Sequence, residues 1–286
     1  MKKNLLTICG LLFMTVATAQ NAYDVERLLG GDLNGTARFI GMGGAMGALG
    51  GDMSVMGTNP AGLGIYRSND VSVSFGFNNT GTESSFNGTS MKEARTRASF
   101  DQIGFVYTNK IGNETSLRFV NFGFNYHKNK NFNRLFSMGG ELNGLSQSHY
   151  LADEMDAWGM QSGVDFDAVL DAENPYTKYW NKYPVLGVMG VATGLVDWDD
   201  NLGAIGWNGY SNSFFSKETG GINQYDFSVG FNIEDRLYLG ATLGVYDVNY
   251  NRYTSYAEEL DDDKGNPNGG YTLDTYYSMD GAGVVL

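Results

Sequence analysis

Few residues in this chain of 286 could do covalent or metal chemistry. There are two histidines, His127 and His149, and one cysteine, Cys9, inside an apolar stretch near the N-terminus. His149 lies close to Ser146 and Ser148, but a nucleophile and its base must converge in space, and adjacency in sequence does not supply that. No H-E-x-x-H, G-x-S-x-G or P-loop occurs. Gly41-x-Gly43 after Phe39-Ile40 begins like a dinucleotide fingerprint, yet G-x-G-x-x-G would need glycine where Met46 stands. Acids cluster at Asp153, Glu154, Asp156, Asp165, Asp167, Asp171 and Glu173, with no Lys or Arg between Arg134 and Lys178. They read as a solvated negative face, or as groups that divalent cations would bridge. Asp261-Asp262-Asp263-Lys264-Gly265 lacks the alternate spacing and distal glutamate of a calcium loop and reads as an exposed loop tip. Neither histidine stands in a haem-ligand pattern. The set predicts no catalytic residue, no metal and no cofactor; the chemistry left is that of surfaces.

Composition says which surfaces. Gly numbers 40, aromatics make up 14% and charged residues 18%, the last well below the roughly 25% of soluble domains. The formal net charge of −13 makes nucleic acid a poor partner. Lys2 and Lys3, an apolar run over 5–16 and Ala17-Thr18-Ala19 describe a secretory signal peptide, residues 1–19, for export through the Sec pathway. Its apolar core is shorter than the roughly 20 residues of a spanning helix, and no other run is apolar enough to be one. Cleavage removes Cys9, leaving stability to buried area and hydrogen bonds.

The elements are strands with one greasy face. Val71, Val73, Phe75 and Phe77 alternate with Ser72, Ser74 and Gly76, a period of two. The pattern returns at Ile103, Phe105 and Tyr107; at Val120, Phe122, Phe124 and Tyr126; at Tyr225, Phe227, Val229 and Phe231; and at Leu237, Leu239, Ala241, Leu243 and Val245. A sixth copy begins near Thr275. The alternate residues are Gly, Ser, Asn, Thr and Gln. A small polar second face suits the interior of a barrel, and the apolar face suits lipid, with Phe77, Tyr107, Tyr126, Tyr246 and Tyr250 as girdle residues. Short connections at 109–113 and 232–236 alternate with long ones at 80–97, 128–221 and 251–274, as in outer-membrane barrels whose first strand runs outward. The expected fold is all-β, a transmembrane antiparallel β-barrel occupying 69–286. About six strands cannot close, the smallest such barrels having eight, so the chain reads as C-terminally incomplete.

Before the first strand, residues 20–68 hold Gly35-Thr36-Ala37-Arg38, a Gly/Ala/Met stretch running to Asp52, then Ser54 and Asn59-Pro60-Ala61-Gly62-Leu63. Small residues let backbones approach closely, and Met fits irregular apolar neighbours, a composition suited to a plug. With the leader and the strands, these motifs resemble the FadL/TodX family of outer-membrane transporters for hydrophobic compounds, in its Bacteroidetes form, over 35–127 and 220–250. The resemblance implies a 14-stranded barrel with an N-terminal hatch, monomeric when complete, that passes long-chain fatty acids or aromatic hydrocarbons without ATP. On it, Asn59, Pro60 and Ala61 are the hinge or seal of the hatch, or Pro60 simply ends the plug in a turn.

The stretch 128–221 is too long for a bare loop and should carry helices, over 145–160 and over the nearly uncharged 185–198. Leu186, Met189, Leu195, Trp158 and Phe166 are expected either to line an apolar cleft for ligand or to form the core of this external cap. The function expected is uptake of a hydrophobic small molecule, with outer-membrane lipid and lipopolysaccharide as the other partners. A surface adhesin or structural barrel is the alternative.

Overall fold

The computed structural model describes residue 26 and residues 28–286 apart from 180 and 263; the expected leader lies outside the described residues. The elements follow as α1 (Ala37–Gly41), β1 (Asp70–Phe86), β2 (Thr89–Lys110), β3 (Leu117–Asn131) and β4 (Arg134–Glu141). Then come α2 (Gln147–Ala157), α3 (Gly163–Leu170), α4 (Pro175–Tyr179), α5 (Val185–Thr193) and a small hairpin, β5 (Val196–Asp199) and β6 (Gly203–Gly206). Three long strands close the order: β7 (Gly209–Ile233), β8 (Leu237–Asp261) and β9 (Pro267–Val285). The chain is mostly antiparallel sheet, in the order β1-β2-β3-β7-β8-β9. β4 continues β3 along the same edge of β7, after a break at Phe132-Asn133. Among the described residues no helix is long and apolar enough to cross a membrane.

The strands run well beyond the expected apolar stretches, so 80–97 and 251–274 are not loops. Residues 80–86 and 89–97 pair as the upper arms of a hairpin whose turn is Asn87-Gly88, both at positive φ. That is the two-residue turn whose twist matches its strands, for which Asn-Gly is the preferred pair. β8 and β9 likewise pair out to Asp261 and Pro267. Hydrophobic alternation marks only the stretches with one apolar face; the arms beyond them mix polar residues and carry no such mark. At about 3.3 Å per residue, β7 and β8 are each about 80 Å long.

Register turns the alternate residues into continuous rows. Val71, Phe105, Phe124, Phe227 and Leu243 lie side by side across five strands, and Val73, Ile103, Tyr126, Tyr225, Val245 and Val284 across six. Rings touch along the rows, Phe124 lying 5.1 Å from Phe227 and Tyr126 5.3 Å from Tyr225. This outer face is bare: Phe75 and Phe77 are 74% and 83% exposed, and Phe105, Phe122 and Phe227 about half. On β7 and β8 the apolar band covers 225–233 and 237–245, about 30 Å along each strand. Arg118, Glu234, Asp235 and Arg236 bound it at one end; Lys128, Asn223 and Asp247 bound it at the other.

The opposite, inner face carries rows of small and polar residues: Ser72, Gly104, Asn125, Asp226 and Gly244 in one, and Thr108, Asn121, Gly230 and Gly240 in another. The N-terminal segment packs here, with Met53, Met56 and Leu63 burying themselves against Val106. Residues 142–208 form a separate cap with its own core, including Leu151, Met155, Val169, Val188, Val191 and Val196. The helix expected over 185–198 stops at Thr193, because Gly194 takes a left-handed C-cap and Val196 enters β5.

Candidate functional site

The N-terminal segment is seated where the sheet lacks side chains. A Cβ on Gly104 would lie 3.0 Å from Met53 Sδ, and one on Gly230 2.8 Å from the Gly64 nitrogen. A Cβ on Gly123 would overlap Met56, and one on Gly240 the Pro60 carbonyl. Backbone polar groups of the segment find partners on the same face. Asn121 Nδ2 donates to the carbonyls of Leu63 (2.7 Å) and Tyr66 (3.0 Å), and Thr242 Oγ1 to that of Met56 (2.8 Å). Arg67 ends the seat, paired with Asp235 at 2.6 Å and lying over the Phe119 ring at 4.7 Å. The Asn232 amide, and after it the guanidiniums of Arg67 and Arg118, hold the Asp235 carboxyl below the usual carboxylate range.

Asn59, Pro60 and Ala61 lie at the centre of this packing. Pro60 opens a 3-10 turn, Pro60–Ile65, where its missing N–H costs nothing. Asn59 does not cap that turn; its Nδ2 donates to the Gly47 carbonyl (2.5 Å), tying the glycine-rich loop 41–51 to the turn. Gly50 and Gly62 lie back to back, and Gly51 N donates to the Gly62 carbonyl (3.2 Å). The motif is thus held on one side by loop 41–51 and on the other by Gly240.

Beneath the segment runs a buried chain of amides. Ser72 Oγ donates to Gln102 Oε1 (3.0 Å), Gln102 Nε2 to Asn125 Oδ1 (2.8 Å), and Asn125 Nδ2 meets His127 Nδ1 (3.2 Å). From the other side Asn129 Nδ2 donates to Gln224 Oε1 (3.0 Å) and Gln224 Nε2 to Asp226 Oδ1 (2.8 Å). The two arms meet at His127 and Asp226, 3.7 Å apart. His127 is therefore part of a hydrogen-bonded floor.

Farther along β8 the faces exchange character. Tyr246, Val248 and Tyr250 point inward while Asp247, Asn249 and Asn251 face out. With Phe132, Ile222, Tyr277, Met279 and Leu28 they form an apolar cluster beside the N-terminal segment, of which Leu28, Ile222, Tyr246, Val248 and Met279 line a cavity of about 490 Å³. The sequence reading missed this site; its signal is the shift of apolar residues from odd positions over 237–245 to even positions over 246–250.

The cap holds a second cavity. Leu186, Met189 and Leu195 come together with Leu151 and, from β9, Tyr271 and Leu273 around about 270 Å³. Phe166 instead sits in the cap core against Trp198, and Trp158 is exposed at the end of α2. At the sheet side of this cavity Glu258, buried on β8, accepts hydrogen bonds from the Tyr256 (2.7 Å) and Tyr271 (2.8 Å) hydroxyls and from Gln147 N (3.2 Å). Burial, and then the bond to Glu258, pushes both tyrosine hydroxyls above their ordinary pKa. Ser148 is occupied structurally: its Oγ accepts from Trp207 N (2.8 Å) and donates to the Trp207 carbonyl (2.9 Å). Among the described residues no group of three or more His, Cys, Asp or Glu side chains could hold a metal ion.

Compared with known proteins, the chain matches no family model, no curated protein and no solved structure.

Proposed function

We propose that this protein is a passive outer-membrane transporter for hydrophobic small molecules, of the FadL/TodX kind, exported by its N-terminal leader. The observation that carries the reading is the exposed apolar band. It is about 30 Å long on each strand, aromatic and in register across the sheet, and bounded by charge at both ends. A monomeric protein in water rarely exposes apolar patches beyond a few hundred Å², and lipid is the partner whose thickness fits this one. In this reading the strands are part of a barrel wall, the inner face is the lumen, and residues 20–68 are the hatch. Beyond the band the outer arms stand in water, and their inward-turned aromatics and the cap cavity offer apolar ligand a path toward the seat of Asn59, Pro60 and Ala61. Long-chain fatty acids and aromatic hydrocarbons are the solute class, with no covalent step.

Cells producing the protein should accumulate labelled toluene and oleate faster than cells with an empty vector. Absence of any difference, with the protein inserted, would remove the transport reading. Exposed apolar residues on the cap, Val164, Leu202 and Trp158, favour an adhesin as the second reading; binding of such cells to host matrix without uptake would support it.

A further inference from the structure

We propose that the cavity between the N-terminal segment and β9 takes a flat, uncharged ligand of about three fused aromatic rings, and that Gly281 and Gly283 set its width. The proposal rests on the transport reading above for its apolar ligand class and adds the shape that the site selects. Gly281 stands opposite Val248 and Gly283 opposite Tyr246, so both share the inward face of the apolar cluster. Inward glycines elsewhere, at 104, 123, 230 and 240, make room for the N-terminal segment. Gly281 and Gly283 do not. A Cβ on Gly281 would meet only Val248 Cβ, at 4.0 Å, and one on Gly283 only Tyr246 Cβ, at 3.9 Å. Neither takes a positive φ. Backbone conformation and packing therefore make no demand for glycine at either position, and glycine weakens a strand. What both face is the cavity of about 490 Å³, whose lining also includes Leu28, Gly30 and Gly31 of the N-terminal segment.

Volume sets the size of the ligand. A dry cavity of about 150 Å³ holds one benzene, so 490 Å³ suits about three rings. The two glycines set its shape. At alternate positions they leave about 7 Å of strand as bare backbone between Met279 and Val285, a floor that a planar ring system can approach closely. Ile222, Tyr246 and Val248 supply apolar walls. Among the described residues no Lys, Arg or His lines the cavity, and its Asn129 and Asp280 are engaged elsewhere: Asn129 Nδ2 donates to Gln224 (3.0 Å), and Asp280 Oδ1 accepts from Asn249 (2.6 Å). The site thus selects by width, with no head group required. A fatty-acid chain enters the same cavity but fills only part of that width, and the ligand that fills it buries more apolar area.

Equilibrium dialysis of the full chain in zwitterionic lipid nanodiscs, with labelled phenanthrene and toluene and protein-free discs subtracted, tests this. The parent should bind both saturably. Gly281→Leu and Gly283→Leu should each weaken phenanthrene at least about tenfold and leave toluene within about twofold. Gly281→Ala adds one methyl that a strand accepts and should weaken phenanthrene several-fold, again sparing toluene. Leu28→Trp narrows the cavity from the N-terminal segment and should give the same selective loss with β9 untouched. Lack of saturable phenanthrene binding by the parent, phenanthrene binding unchanged in the glycine variants, or equal weakening of both ligands in Gly281→Ala and Leu28→Trp overturns the proposal. Uptake of toluene and oleate without this width selectivity sinks the inference alone, and width selectivity without uptake sinks the transport reading alone.

Discussion

At the scale of the residue, glycine and asparagine do most to place the N-terminal segment, and the two were legible to different degrees. Asn59-Pro60-Ala61 stands out in the sequence as a turn former followed by small residues, but the partner of Asn59, the Gly47 carbonyl, depends on how loop 41–51 coils, which no spacing rule gives. Gly240 and Gly123 read only as small residues on the polar face; their purpose is visible once Pro60 and Met56 lie on them. Gly240→Val should therefore unseat residues 59–65 without disturbing the strands. Limited proteolysis should cut between 41 and 65 in the variant and spare that region in the parent; equal protection would contradict the seat. Asn59→Ala removes one hydrogen bond and should cost about 1 kcal/mol in protection of the same segment, measured by hydrogen exchange. The Asp235 clamp has a pH sign. Its carboxyl is held below the usual range, so its contribution is complete above the ordinary carboxylate pKa and is lost as pH falls through the lowered value. Protection at residues 64–67, taken relative to the intrinsic exchange rate at each pH, should fall on acidification below about pH 4 and stay level there in Asp235→Asn.

At the scale of the element, strands were legible where one face is apolar and the other small and polar, and invisible elsewhere. The five strong alternations fall inside β1, β2, β3, β7 and β8, yet each strand continues into polar arms that the pattern does not mark. Asn87-Gly88 was the available signal for the first hairpin. The cap was legible as helical but not in its limits, since Gly194 and the β5–β6 hairpin divide what reads as one apolar run. The same ambiguity separates its candidate residues: Leu186, Met189 and Leu195 face a cavity, whereas Phe166 is core. Met155 is fully buried in that core, so Met155→Ala should destabilise the cap by about 2–5 kcal/mol. All four tryptophans lie between 158 and 207, so the fluorescence transition in denaturant reports the cap. A shift in that transition with strand circular dichroism unchanged is the expected result.

At the scale of the whole molecule, two faces of one sheet must satisfy two different surroundings. The outer rows have no protein partner among the described residues, and the inner rows are covered by the N-terminal segment and by an apolar cluster beyond it. Register makes this a property of the sheet: a one-residue slip in any strand would move aromatics onto the seat and glycines onto the bare face. Charge on the bare face should be costly in lipid. Phe227→Arg, in the middle of the band, should lower the stability of the inserted protein by about 2–4 kcal/mol, while Lys217→Arg beyond the band should be neutral.

Cys9 is the one cysteine of the sequence, so with Cys9 replaced single nitroxide labels can be placed at will. Labels at positions 105, 227 and 243 on the outer face, 228 on the inner face and 247 beyond the band should be compared in reconstituted vesicles by collision with oxygen and with a water-soluble nickel complex. The account predicts that 105, 227 and 243 meet oxygen and exclude nickel, that 247 meets nickel, and that 228 meets neither. Nickel access at 105, 227 and 243 equal to that at 247 would contradict it.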